Sequence, residues 1–272
     1  MEFQYSDAPQ RSPEWLRIKR GRIGASSLWR WLSVSKSKAT PGKPLKDRLD
    51  YEKELMFERQ FDTSFEVWVN SAMQDGIDFE SFAADQYAKI TGFQLAEAGC
   101  YYNDYFVASP DRFVFPKGAN SVDLDNAIGL IEVKILKDNA FVEVLAKDPA
   151  TSHAIEAEIE TDGKVNKVKV GTGVPEKHWK QIQGQLWASQ LPWCDYVAVN
   201  FNTKRVVIIR VYPDKEFHEY LELAVQEKLV VTQFDTETVH PIIGDLPEGS
   251  DGLSGAVIDR SDSNIIQGET SW

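Results

Sequence analysis

Two apolar, strand-like stretches of this chain carry charges in their midst. One is ASPDRFVF, residues 108–115, with Asp111; the other is GLIEVKIL, residues 129–136, with Glu132 and Lys134. An unpaired carboxylate or amine is costly to take out of water, so such groups are either paired or kept for chemistry. Side chains alternate along a strand, which places Ile131, Val133 and Ile135 on one face and Glu132 and Lys134 on the other, roughly 6–7 Å apart. Pro110 lacks an N–H and breaks the ladder just before Asp111, leaving its carboxylate free to point across to Glu132. Two carboxylates held close in a partly dry site repel unless a proton or a cation lies between them. Mg²⁺ suits that position, because it takes oxygen ligands from one or two carboxylates, a backbone carbonyl, waters and a phosphate. An amine beside it, Lys134, could lower the cost of forming a water nucleophile or steady the charge of a pentacovalent phosphate. The competing reading is a buried structural ion pair.

The elements that must position these groups come in a mixed order. SPEWLRIKRGRIGASSLWRWL predicts a helix capped by Ser12 with Pro13 in its first turn, an interruption at Gly21 and Gly24, and a second helix capped by Ser26 or Ser27. Helical patterns follow over about 45–60 and 65–91, the second ending at Gly92. The character then changes to strands through FQLAEAGCYYN, YFVASPDRFVF and AIGLIEVKIL. A short helix is expected at 138–147. AIEAEIETDGKVNKVKV alternates around Asp162-Gly163 and reads as a β-hairpin over 154–171. A helix at 175–190, the strands DYVAVNF and RVVIIRVY, and a helix at 214–230 complete an ordered part, residues 1–234. Residues 235–272 read as an acidic tail.

Composition bounds the function classes. A chain of 272 residues with 42% hydrophobic content can bury a substantial core. No apolar run approaches the roughly 18 residues that a membrane span needs, and the start MEFQYSDAPQRSPEW lacks a signal peptide's features, so a cytoplasmic protein is expected. Cys100 and Cys194, both in apolar sequence, read as buried thiols. The net charge of −12 argues against a polyanionic partner, but its distribution argues for one. Eleven Lys or Arg against two acids lie between Arg11 and Arg48, a local net charge of +9, whereas Asp235–Trp272 holds eight acids and one base. Such asymmetry points to nucleic-acid contact at the basic end, or else to a solvated basic helix.

Asp111 followed by Glu132-x-Lys134 resembles the PD-(D/E)xK nuclease pattern, with SPD and EVK as its halves. EWLRIKRGRIGASS, DGIDFESFAADQYAKITG and HWKQIQGQLWAS fall in the order found in one branch, the lambda-exonuclease-like (YqaJ-type) phage recombination nucleases. The resemblance spans about residues 14–212. It implies that Glu80, Asp111 and Glu132 are metal ligands together with the Val133 carbonyl. Lys134 would position or deprotonate the attacking water, and Gln181 would be the family's active-site glutamine. Without the resemblance, Glu80 reads as solvated surface, and Gln181 and Gln185 as the polar face of a helix opposite Trp179, Ile182 and Leu186. Near the start the family pattern has an arginine four residues after the tryptophan and a serine further on, at a pocket for a DNA 5′-phosphate. Ser26 fits; Lys19 stands where the arginine would be, with Arg17 and Arg20 close by, and lysine lacks the planar fork.

The expectation is therefore an α/β fold with a PD-(D/E)xK core, a mixed central β-sheet flanked by helices, and an inserted β-hairpin. The implied activity is 5′→3′ exonuclease digestion of linear double-stranded DNA with two Mg²⁺ ions, or Mn²⁺ in their place, leaving 3′ single-stranded tails. The implied partners are a single-strand annealing protein and further copies of the chain in a ring-shaped trimer, in a bacterial host carrying a phage or prophage. Two rival readings are an endonuclease of the same fold and a non-catalytic DNA-binding module.

Overall fold

The computed structural model describes residues 1–65, 71–146, 155–161, 164–170 and 173–226. The acidic segment 235–272, the Asp162-Gly163 turn and the end of the last predicted helix lie outside the described residues. After a short strand β1 (Gln4–Ser6), helix α1 (Pro13–Lys19) starts at its predicted cap, where Ser12 Oγ accepts the Trp15 N–H at 3.2 Å. Gly21, at φ +63°, turns the chain into β2 (Ile23–Gly24). The second helix, expected to be capped by Ser26 or Ser27, is a 3₁₀ turn, Ala25–Ser27, running into one helical turn, α2 (Leu28–Trp31), whose N-cap position Ser27 occupies without a side-chain capping hydrogen bond. Leu28 and Trp31 are both fully buried, so core packing rather than capping decides this segment.

Helix α3 (Lys46–Phe61) precedes α4 (Ser71–Thr91), which stops at Gly92 with φ +76° as its sequence predicts. Then come β3 (Gln94–Glu97), β4 (Cys100–Tyr102), β5 (Phe106–Ala108), β6 (Arg112–Phe115), β7 (Gly129–Leu136) and α5 (Asp138–Ala146). The hairpin strands β8 (Ile155–Thr161) and β9 (Lys164–Val170), helix α6 (Glu176–Ser189), β10 (Cys194–Asn200), β11 (Val206–Val211) and α7 (Lys215–Gln226) follow. The larger sheet has the order β3-β6-β7-β10-β11-β9-β8. Its β7–β10 and β11–β9 pairs are parallel and its other pairs antiparallel. The smaller sheet has the order β1-β4-β5-β2. This is the mixed central sheet with an added hairpin that the sequence implies, the hairpin extending one edge.

Strand β7 is covered on both faces, and its alternation decides what each face meets. Ile131 and Val133 pack with Ala83, Ala84 and Tyr87 of α4. Leu130 and Leu136 belong to the core that Ile182 and Leu186 of α6 complete, so Glu132 lies beneath the α6 layer. On the α4 side, a buried Asp195 takes two bonds from Arg210, each 2.8 Å, and one from the Tyr87 hydroxyl at 2.6 Å, fixing α4 to the sheet. Both cysteines are buried, as expected.

Gly184 lets α6 approach the 3₁₀ turn. A Cβ added there would lie 2.6 Å from Leu28 Cδ1 and 2.9 Å from Phe106 Cζ. Gly184→Ala is therefore expected to destabilise by about 1–3 kcal/mol, seen as a lower urea midpoint at unchanged slope. An unchanged midpoint would refute this account of the contact.

Candidate active site

Glu132 is 1% exposed, and a carboxylate that deeply placed must have its oxygens occupied. Gln181 Nε2 donates to Oε1 at 2.7 Å, Gln185 Nε2 donates to Oε2 at 2.6 Å, and Lys134 Nζ donates to Oε1. The two glutamines are four apart, one turn of α6, so both amides descend from the same face onto β7. They are not a solvated polar face: α6 is buried from Gln181 to Ala188. His178, one turn earlier, contacts the Tyr196 hydroxyl at 2.9 Å, and burial aided by the Lys134 charge pushes its pKa down to about 3. It is neutral at pH 7 and adds no charge here.

Asp111 does not sit on a strand. Ser109, Pro110 and Asp111 carry the chain from β5 in the small sheet to β6 in the large one. The crossover is pinned where Asp111 N–H donates to the Ile131 carbonyl at 3.3 Å and Asp111 Oδ2 accepts the Val133 N–H at 2.6 Å. Loss of surrounding water and the charge of Glu132 raise the Asp111 pKa well above the carboxylate range, with Lys134 opposing. Burial pulls the Lys134 amine down, but Glu132 and Asp111 outweigh it and hold it above its usual value. Lys134 is thus an ammonium. It can orient a water or balance an anion, but in this state it cannot take a proton.

This donor set fits a hard divalent cation. Asp111 and Glu132 offer carboxylate oxygens and repel one another, a repulsion that a cation between them would relieve, and the Val133 carbonyl is adjacent in sequence. Glu80 is not gathered with them. Its Oε1 pairs with Arg112 Nη1 at 2.7 Å and its Oε2 lies 3.9 Å from Arg11 Nη2. Among the described residues, no three Asp, Glu, His or Cys side chains are brought together as a ligand cluster.

Part of the basic segment is tied to the crossover through Trp15. A Cβ added to Gly24 would lie 3.8 Å from Ser26 Oγ and 4.0 Å from Lys19 Cε, so the Gly21 bend brings Lys19 and Ser26 together. Burial lowers the Lys19 pKa, opposed by Glu58, and its amine stands 5.0 Å over the Trp15 ring. Trp15 Nε1 in turn donates to Ser109 Oγ at 2.8 Å, two residues before Asp111. Arg17 is separate: it is exposed and faces Glu14 at 3.8 Å. Arg20 pairs with Asp62 at 2.7 Å.

Gln185 and Arg112 are the site residues that sequence reasoning did not assign. The i, i+4 spacing of Gln181 and Gln185 was the available signal for the first. Gln185 is fully buried, and its Nε2 also lies 3.4 Å from the Ser109 carbonyl, while its Oε1 has no hydrogen-bond partner among the described residues. Nothing in the sequence singles out Arg112, which follows the SPD stretch as an ordinary strand residue.

Among solved structures, the fold resembles the alkaline exonuclease LHK-Exo of Laribacter hongkongensis. The TM-score is 0.56 at 23% identity, covering 80% of this chain and 91% of that one. The same enzyme in complex with dAMP gives 0.57 at 23% identity and the same coverage. A phage related exonuclease of Haemophilus somnus 129PT gives 0.52 at 16% identity, over 77% and 92% of the two chains. At these identities the likeness is one of fold. No curated protein matches the sequence. The profile of the YqaJ-like viral recombinase domain, by contrast, matches residues 14–192. Trp15, the Ser109–Asp111 crossover, Glu132, Lys134 and both glutamines all fall inside that match, and the chain belongs to the YqaJ-like viral recombinase domain family.

Proposed function

We propose that this chain is a divalent-cation-dependent exonuclease that degrades linear duplex DNA from its 5′ ends. The observation that carries the reading is the Asp111–Glu132 pair with the Lys134 ammonium beside it, framed by Gln181 and Gln185. Asp111, Glu132 and the Val133 carbonyl would hold Mg²⁺ or Mn²⁺, two ions in all. Bound there, the ions would polarise the scissile phosphodiester and lower the pKa of a water. The chain's own groups do the rest. The glutamines keep Glu132 oriented by occupying one site on each oxygen. Lys134 places its charge where the phosphate becomes most negative and so acts by position. Lys19 and Ser26 supply an amine and a hydroxyl for a terminal 5′-phosphate, so the strand end is held while the next phosphodiester reaches Asp111.

Family membership supports a recombination setting, in which the 3′ single strands left behind would pass to a single-strand annealing protein. A ring-shaped trimer suits the charge distribution, since an acidic chain needs only its bore to be basic.

The test is digestion of linear and covalently closed circular duplex of one sequence, with Mg²⁺ and with chelator. Loss of linear DNA alone, only with Mg²⁺, is expected. Cleavage of the circle would replace the proposal with an endonuclease, and binding without cleavage in either condition would leave a DNA-binding module.

A further inference from the structure

Arg112 occupies a position that the proposed chemistry does not explain. It opens β6 directly after Asp111, and its side chain is 15% exposed. Its Nη1 donates both to Glu80 Oε1 at 2.7 Å and to the Asp111 backbone carbonyl at 2.6 Å. Cross-strand register sets Glu97 opposite it, yet Glu97 is 85% exposed and stands 3.9 Å from Nη2. The guanidinium therefore favours the more enclosed acid, where water competes less for both partners. Val114, two residues on along β6, packs with the α4 layer, so Arg112 faces α4, whereas Glu132 lies under the α6 layer. Arg112 thus stands where the α4 carboxylate approaches the end of the strand that carries Asp111.

We propose that Arg112 is a positioning residue that competes with the cation for Glu80. In the state described here it clasps Glu80 to the Asp111 backbone, and Glu80 joins the cation site only by leaving that clasp. Arg112 then sets how tightly the site loads, and the guanidinium released by Glu80 is left in the wall of a polar cavity of about 280 Å³ that Gln10, Arg11, Glu80 and Ser81 also line. The inference rests on the proposed cation site at Asp111 and Glu132, and goes beyond it in assigning Arg112 a role and Glu80 two alternative partners.

The experiment is a double-mutant cycle read by Mn²⁺ affinity, from calorimetry or the spectrum of free Mn²⁺, in the full chain without DNA. Arg112→Gln is expected to tighten Mn²⁺ binding by about tenfold when Glu80 is present and by no more than about twofold in a Glu80→Gln background. Arg112→Lys, which keeps the charge on a shorter stem that does not bring its donor to the Nη1 position between Glu80 and the Asp111 carbonyl, should fall between. Equal tightening in both backgrounds would mean that Arg112 acts only as a distant positive charge, and would overturn the proposal. Unchanged or weaker binding in Arg112→Gln would overturn it too. Should Arg112→Gln unfold, Arg112→Lys with and without Glu80→Gln supplies the same cycle. Asp111→Asn serves as the control for the underlying reading. If it leaves Mn²⁺ binding intact, the cation site itself is wrong; if it removes binding while the Arg112 cycle is flat, only the Arg112 inference fails.

Discussion

Asp111→Ala is expected to bring cleavage of linear duplex DNA below detection while DNA binding in Ca²⁺ survives. Asp111 does two things at the crossover: its Oδ2 holds the Val133 N–H at 2.6 Å, and its charge opposes that of Glu132. Removing it takes away a cation ligand and loosens the backbone at Val133, the residue whose carbonyl would be another. Lys134→Ala tests a different step. Its ammonium is a donor to Glu132 and is held protonated by two carboxylates, so its loss should leave cation binding within a few-fold and lower kcat by about 10²–10³-fold, as loss of a transition-state contact does. Steady-state digestion of end-labelled duplex with parallel Mn²⁺ titrations separates the two. Either variant cutting at the parental rate would show that the site has been misassigned.

Linear duplex with a 5′-phosphate should be digested about tenfold faster than the same duplex with a 5′-hydroxyl. A terminal phosphate carries nearly two charges at pH 7, an internal diester one, and a pocket with a desolvated amine discriminates between them. Lys19 is such an amine: burial holds its pKa below the usual value, and a bound dianion would offset that cost. Lys19→Ala and Ser26→Ala should both erode the preference, Lys19→Ala more, with Mn²⁺ affinity unchanged. Arg17→Ala should cost least, because Arg17 is exposed and faces Glu14. The helix dipole contributes little, since the segment after Gly24 is a 3₁₀ turn and a single helical turn. Equal rates for both ends, or products shortened from the 3′ side, would defeat this polarity while sparing the cation site.

What the sequence determined by itself was local. The period-two alternation of residues 129–136 put Glu132 and Lys134 on one face of β7, the Ser12 cap set the start of α1, and Gly92 set the end of α4, because each depends only on neighbours within a few residues. The SPD and EVK halves, with EWLRIKRGRIGASS, DGIDFESFAADQYAKITG and HWKQIQGQLWAS in order along the chain, carried the family assignment in the same way. The tertiary structure decided which distant groups meet. Gln185 reaches Glu132 across 53 residues and Arg112 takes Glu80 across 32, although Glu97 is its cross-strand neighbour. The helix expected after Ser26 or Ser27 follows Ser27 but is one turn long, because Leu28 and Trp31 are drawn into the core. Local periodicity is written into bond geometry and repeats along the chain. The partner of a buried charge depends on which elements pack and how much water they exclude, and that is settled only when α4 and α6 close on the two faces of β7.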